Sequence, residues 1–293
     1  MTIAVRPMHP VFVGEVSGVD LRQPMTASEV EALTAAINQH AVLVFHGQAI
    51  DDAQQQAFSR NFGDLETTVR AYRSDFIPRL DLHMADISNL DENNKILPKN
   101  DRRRLNALGN RLWHSDSSFK RVPARFSLLS ARVIPSWGGE TQFADMRAAW
   151  DALPDRMKAR LEGLICEHTQ LFSRGRIGFT DWSEEELAKM APVPQVLVRT
   201  HPGSGRKSLF LSSHAGRIRG MEEPEARMLL MDLNEFATQP QFVYTHQWQV
   251  GDLVMWDNRC TMHRAREYDE TEARDMHRTT VSDGVPTVLD QAA

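Results

Sequence analysis

Apolar positions along the chain fall into short runs, some with the period of a strand and some with the period of a helix. Val11 to Leu21 alternates well enough for a strand and ends in a turn near Gln23-Pro24. Thr26, with Glu29 three residues on, has the spacing of a capping box and predicts a helix to about His40. Ala41-Val42-Leu43-Val44-Phe45 is apolar throughout, the pattern of a buried strand closed by Gly47. Asp51 or Asp52 then caps a second helix that runs through Phe62 and stops at Gly63.

From about Glu66 to Asn110 the periodicity dissolves. A stretch of that length inside a folded protein is usually a functional loop, and a mobile active-site cover is expected there. Phe126 to Val133 again reads as a strand. Helices follow at about Arg147–Leu153 and Asp155–Leu164, then a second irregular stretch from Phe172 to Pro194, so residues 147–194 form a helical and irregular insertion. The last third predicts short strands at Gln195–Thr200, Ser208–Leu211, Phe242–Trp248, Asp252–Trp256 and Arg274–Ser282, interrupted by a helix at about Glu222–Thr238. Many short strands with helical insertions predict a mainly β fold, a double-stranded β-helix or jelly roll, built as a single domain over residues 1–293.

Bulk properties narrow the function. The formal net charge of −5 lacks the basic excess of a nucleic-acid-binding surface. Two cysteines, Cys166 and Cys260, cannot build a disulfide framework or a Cys-x-x-Cys zinc site, and both are expected as buried thiols of a reduced compartment. The N-terminus lacks the basic and apolar regions of a secretory signal, and no run is long enough to span a membrane. The cytoplasm is the expected compartment, with neither nucleic acid nor membrane as a partner.

Candidate chemistry centres on Trp113-His114-Ser115-Asp116. In an extended segment His114 and Asp116 point the same way, and with a distant histidine such as His263 they would make the two-histidine, one-carboxylate set that leaves positions open on Fe(II). Each residue alone could equally be a structural or surface group. Arg274 and Arg278 lie four apart in the last predicted strand and so share a face. Pointed inwards, they need anionic partners; pointed outwards, they could pair with Asp269, Glu270 and Glu272. Gly203-Ser204-Gly205-Arg206-Lys207-Ser208 suggests a phosphate loop, but Arg206 interrupts the order that such a loop needs, leaving a β-turn. Trp113 and Trp256 are expected to pack the wall beside the metal.

Several segments together resemble one family: Ala41 to Gln48, Leu112 to Phe119, Gly138-Gly139-Glu140-Thr141, Phe143 to Ala149, Thr200 to Lys207 and Val254 to Arg259. They are similar to the Fe(II)- and 2-oxoglutarate-dependent dioxygenases of the taurine dioxygenase family, and most to its 2,4-dichlorophenoxyacetate-cleaving members. The resemblance implies His114, Asp116 and His263 as iron ligands, and Thr141 with Arg274 as the clamp for the far carboxylate of 2-oxoglutarate. It implies Arg278 for the acidic group of a small carboxylated aromatic substrate, with Asn110, His201 and His214 lining its pocket. Arg70 and Arg73 are the basic residues available in the first variable loop. The implied reaction uses O2 and hydroxylates the carbon next to the ether oxygen of an aryloxyalkanoate, releasing a phenol, glyoxylate, succinate and CO2. A homo-oligomer is expected by the same resemblance. The alternatives are a relative acting on a sulfonate such as taurine or on a natural aryl carboxylate, and a non-catalytic jelly-roll binding module.

Overall fold

In the computed structural model, which describes residues 3–68 and 77–289, β1 (Ala4–Pro7) and β2 (Gly14–Ser17) precede helix α1 (Ala27–His40). The capping box closes as its spacing predicts: the Thr26 hydroxyl accepts from the Glu29 amide, and the Glu29 carboxylate accepts from the Thr26 amide. Strand β3 (Val42–Phe45) is buried at every position, and helix α2 (Asp52–Arg60) is capped by Asp51. The supposed irregular stretch carries β4 (Ala85–Asp86), helix α3 (Arg102–Ala107) and a 3-10 turn at Leu108–Arg111. Arg70 and Arg73 lie outside the described residues.

After β5 (Ala124–Val133), β6 (Thr141–Asp145) leads into α4 (Met146–Ala152) and α5 (Asp155–Leu161). Strand β7 (Ile165–His168) and helices α6 (Gln170–Arg176) and α7 (Glu184–Lys189) follow within the expected insertion. The run from Gln195 to Thr200 is not one strand: β8 (Val193–Val196) pairs with β7, whereas β9 (Val198–Thr200) pairs with β10 (Lys207–Leu209). The chain changes sheets at Leu197, which is fully buried. The rest comprises β11 (Ala215–Ile218), α8 (Glu223–Ala237), β12 (Val243–His246), β13 (Leu253–Asp257), β14 (Thr261–Ala265) and β15 (Asp275–Ser282).

Seven strands form the larger sheet in the order β1-β2-β3-β13-β5-β15-β4, and β12-β6-β14 form a smaller one, among the described residues. Alternation along β3 shows how the layers meet. Val42 and Val44 join Leu129, Val254, Trp256 and Met276 against Phe143 of β6, filling the space between the sheets. Leu43 and Phe45 point the other way, under Leu33 and Ile37 of α1 and Phe58 of α2. Both faces of that strand are therefore dry, which is why its sequence is apolar throughout. A third cluster covers the outer face of the smaller sheet with α4 and α8, through Trp150, Leu229 and Leu233 against Ala144 and Met262. This is the jelly-roll arrangement expected from the strand pattern. No helix among the described residues is long and apolar enough to cross a membrane.

Two glycines shape the approach to β6. Gly138 has φ 73°, and a Cβ there would lie 2.1 Å from the carbonyl oxygen of Glu267. Gly139 has φ 81°, and its amide donates to that same carbonyl at 2.8 Å. Gly138→Ala is expected to cost about 1–3 kcal/mol from backbone strain alone, with steric overlap adding to it. Urea denaturation measures the loss, and wild-type stability would contradict the assignment.

His168 on β7 is fully buried, stacks on Phe210, and has neither ring nitrogen hydrogen-bonded among the described residues. Burial pushes its pKa down to about 3, whereas in the unfolded chain it titrates near 6.5. The unfolded state therefore takes up the proton first as pH falls. His168's contribution to stability is complete above about 6.5 and shrinks by about 1.4 kcal/mol per pH unit below it, down to about pH 3. His168→Phe is expected to remove one proton's share of the acid slope in denaturation midpoints; an unchanged slope would contradict this.

Candidate active site

Backbone pairing brings the two predicted histidines together. His114 and His263 form an antiparallel bridge in which each amide donates to the other's carbonyl, at 3.0 and 2.8 Å. Directly opposed residues present their side chains on one face, and the imidazole centroids stand 4.2 Å apart. The route to Asp116 differs from simple strand alternation. The chain turns at Asp116, and Ser117 adopts φ 53°. The turn carries the carboxylate to within 3.9 Å of His114 Nε2 and 3.7 Å of His263 Nε2.

One ligand atom from each residue falls within 4.8 Å of the others, a set that could hold a metal ion. His114 Nδ1–H donates to the Leu112 carbonyl at 2.8 Å, which leaves the lone pair on Nε2, facing the site. Burial lowers the pKa of both histidines, well below the usual value for His263, and keeps them neutral as metal ligands must be. Burial alone would raise the pKa of Asp116. The Arg278 guanidinium opposes that most strongly, the two imidazoles and the Ser127 hydroxyl add to it, and the carboxyl is held below its usual range. Two neutral imidazoles and one carboxylate suit Fe(II). Trp256 packs 4.7 Å from the His263 ring, as expected of the wall beside the site, whereas Trp113 lies under the Arg264 guanidinium and joins the cluster on the outer face of the smaller sheet.

Beside this triad lies a cavity of about 500 Å³ lined by His114, Asp116, Asn110, His214, Arg278 and Arg174, and also by Glu66, Thr67, His83 and residues 85–87. The stretch expected to cover an active site therefore borders the cavity. Arg278 donates to Asp116 Oδ1 at 2.5 Å, while its Nε is buried with no partner among the described residues. Asn110 accepts from Arg174, and His214 stands edge-on to His114 and Phe119.

Arg274 lies next to a smaller cavity of about 80 Å³, also bordered by Asn110 and Tyr268. It is 5% exposed, donates to the Ile87 carbonyl, sits over the Tyr268 ring, and has no carboxylate partner among the described residues. Burial lowers its pKa. Thr141 is buried at the start of β6, where its oxygen accepts from Trp248 Nε1 at 3.0 Å, leaving its hydroxyl proton to donate elsewhere.

His201 departs from expectation. It does not line the cavity; its Nδ1 accepts from the Ser204 amide and its Nε2–H donates to Asp257, which Arg259 clamps at 2.8 and 2.6 Å. Asp257 and Cys260 would otherwise complete a second metal-sized cluster with it. No lone pair of the imidazole faces them, so the group is a structural hub. Ser127, Asn258 and Arg174 were not anticipated. Asn258 stood inside the Asp257-Asn258-Arg259 motif, but nothing in the sequence tied it to Asp116.

Comparison with known proteins agrees with this geometry. Residues 4–280 match the model of the family described as taurine catabolism dioxygenase TauD, TfdA family. The alpha-ketoglutarate-dependent 2,4-dichlorophenoxyacetate dioxygenase of Cupriavidus pinatubonensis is 46% identical over 97% of this chain and 99% of its own. The (S)-phenoxypropionate/alpha-ketoglutarate-dioxygenase of Sphingobium herbicidovorans is 38% identical over 95% of this chain and 94% of its own. Among solved structures, AAD-2 in complex with Mn(II) and N-oxalylglycine superposes with a TM-score of 0.91 at 54% identity, covering 99% of this chain and 100% of that one. The likeness extends over nearly the whole length, and the chain belongs to the TauD/TfdA dioxygenase family.

Proposed function

We propose that this chain is an Fe(II)- and 2-oxoglutarate-dependent dioxygenase that hydroxylates aryloxyalkanoates of the 2,4-dichlorophenoxyacetate type. His114, Asp116 and His263 would hold the iron. When bound, that iron supplies dioxygen activation coupled to decarboxylation of 2-oxoglutarate to succinate and CO2. The observation that carries the reading is the position of Arg278, which touches Asp116 and lines the cavity beside it. A guanidinium there can take a substrate carboxylate in two parallel hydrogen bonds and aim the adjacent C–H bond at the metal side.

Arg274, buried without a carboxylate, would pair with the far carboxylate of 2-oxoglutarate, and the free proton of Thr141 would donate to it. Asn110 and His214 would border the aryl group, His214 as a neutral ring because burial holds its pKa well below the usual value. Hydroxylation of the carbon next to the ether oxygen yields a hemiacetal. As the hemiacetal loses its hydroxyl proton, its bond to the aryl oxygen breaks, giving a phenol and, from an aryloxyacetate, glyoxylate. The named activities of the relatives support this substrate class. A guanidinium would hold a sulfonate equally well, so taurine and aryl carboxylates such as cinnamate belong in the same test. Two assignments join this proposal: residues 1–293 act as one dioxygenase domain, and the enzyme works as a cytoplasmic homo-oligomer.

The expected outcome of a substrate panel is succinate release matched by phenol from 2,4-dichlorophenoxyacetate, with little from taurine or cinnamate. Sulfite release from taurine at a comparable rate would contradict the assignment. Arg278→Ala is expected to raise KM for the aryloxy acid about 30-fold or more, since losing one side of a buried charge pair costs about 2 kcal/mol or more. It should also increase 2-oxoglutarate turnover that is uncoupled from phenol release. Arg274→Ala should instead raise KM for 2-oxoglutarate by a similar factor. Steady-state kinetics with each co-substrate varied in turn separates the two, and a wild-type KM in either variant removes that residue from its role.

A further inference from the structure

Asp116 belongs to a closed ring of buried hydrogen bonds. Its amide donates to Asn258 Oδ1 at 3.1 Å, Asn258 Nδ2 donates to Ser127 Oγ at 2.9 Å, and the Ser127 hydroxyl donates to Asp116 Oδ2 at 2.7 Å. Trp256 Nε1 also donates to Asn258 Oδ1, at 3.0 Å. Two donors converge on that oxygen, so the carboxamide has one orientation, with its N–H groups towards Ser127. Ser127 accepts from Asn258, and its own proton is thereby left for the carboxylate. Ser127 and Asn258 are each 0% exposed, so water cannot replace either partner.

The ring joins separate parts of the fold. Ser127 is on β5, Trp256 on β13, and Asn258 opens the turn between β13 and β14. Its backbone is fixed as well, because the Asn258 amide donates to the Arg125 carbonyl at 2.9 Å. The carboxylate itself sits on a turn, where neighbouring backbone does little to set its rotation. Ser127 holds one oxygen from the sheet side and Arg278 holds the other from the cavity side.

We propose that Asn258 is a positioning residue for the metal-ligating carboxylate, acting through Ser127 to fix the rotation of Asp116. The proposal rests on the reading of Asp116 as a ligand. Partners of this kind typically account for about 10–100-fold in metal affinity. The substitutions are conservative. Ser127→Ala removes the proton donor, and Asn258→Asp keeps the shape but offers Ser127 a competing acceptor.

The test is Mn(II) titration of the full-length chain without 2-oxoglutarate, with free Mn(II) followed by electron paramagnetic resonance and the metal-free melting temperature recorded alongside. Ser127→Ala and Asn258→Asp should each weaken Mn(II) binding about 10–100-fold at a nearly unchanged metal-free melting temperature. The double variant should lose no more than the worse single variant, because the two act as one unit. Asp116→Ala should bind no Mn(II) at the site. Native-like Mn(II) affinity in Asp116→Ala would sink the ligand reading itself. Loss there with native affinity in both ring variants would overturn the positioning proposal alone, as would losses that multiply in the double variant or that track a fall in the metal-free melting temperature. If Asn258→Asp fails to fold, Ser127→Ala decides between the same outcomes.

Discussion

The reciprocal backbone hydrogen bonds between His114 and His263 are the constraint on which the site depends. Nearly 150 residues separate the two in sequence, yet each donates an amide to the other's carbonyl, and opposed residues in such a bridge present side chains together. Geometry needed for metal binding is thus built into sheet pairing rather than left to flexible side chains. The smaller sheet carries one histidine on β14, and the packing of Trp256 and Phe143 against that ring confines it further. Asp116 enters from a turn, outside that pairing, and depends on hydrogen bonds for its placement.

Electrostatics then makes the site receptive to anions. Arg278 is partly neutralised by Asp116, whereas Arg274 is buried with a carbonyl and an aromatic ring for company. An uncompensated buried cation is costly, and an anionic ligand that relieves the cost gains affinity. Two cations at different distances along one strand segment would give two acids separate destinations. The three buried histidines His114, His263 and His214 stay neutral beside them, because burial and the nearby guanidiniums both oppose protonation.

Much of the fold was legible where local signals were strong. The capping residues Thr26 and Asp51 set helix starts to within a residue, and the apolar run at Val42–Phe45 is a strand buried on both sides. Strands β6 and β14 escaped because site residues occupy positions where an alternating apolar pattern would otherwise show; Thr141-Gln142 and His263-Arg264 read as polar. Helix α7 did carry a signal, since Ser183 and Glu186 form a capping box, but its six residues are too short to display a period. In the site, the ligand candidates stood out by residue type and motif. Ser127 and Asn258 did not, because a serine and an asparagine are recognisable as partners only once tertiary packing has joined them. His201 looked chemical for the opposite reason: a histidine's type does not tell whether Asp257 and Ser204 already occupy its nitrogens.

The central claim is that His114, Asp116 and His263 converge on one iron that also receives 2-oxoglutarate. Visible absorption under anaerobic conditions, with Fe(II) and 2-oxoglutarate added to the purified chain, tests it most directly. A weak metal-to-ligand charge-transfer band should appear in the native protein and be absent from His263→Ala. A band of undiminished intensity in His263→Ala, or none in the native protein, would contradict the account.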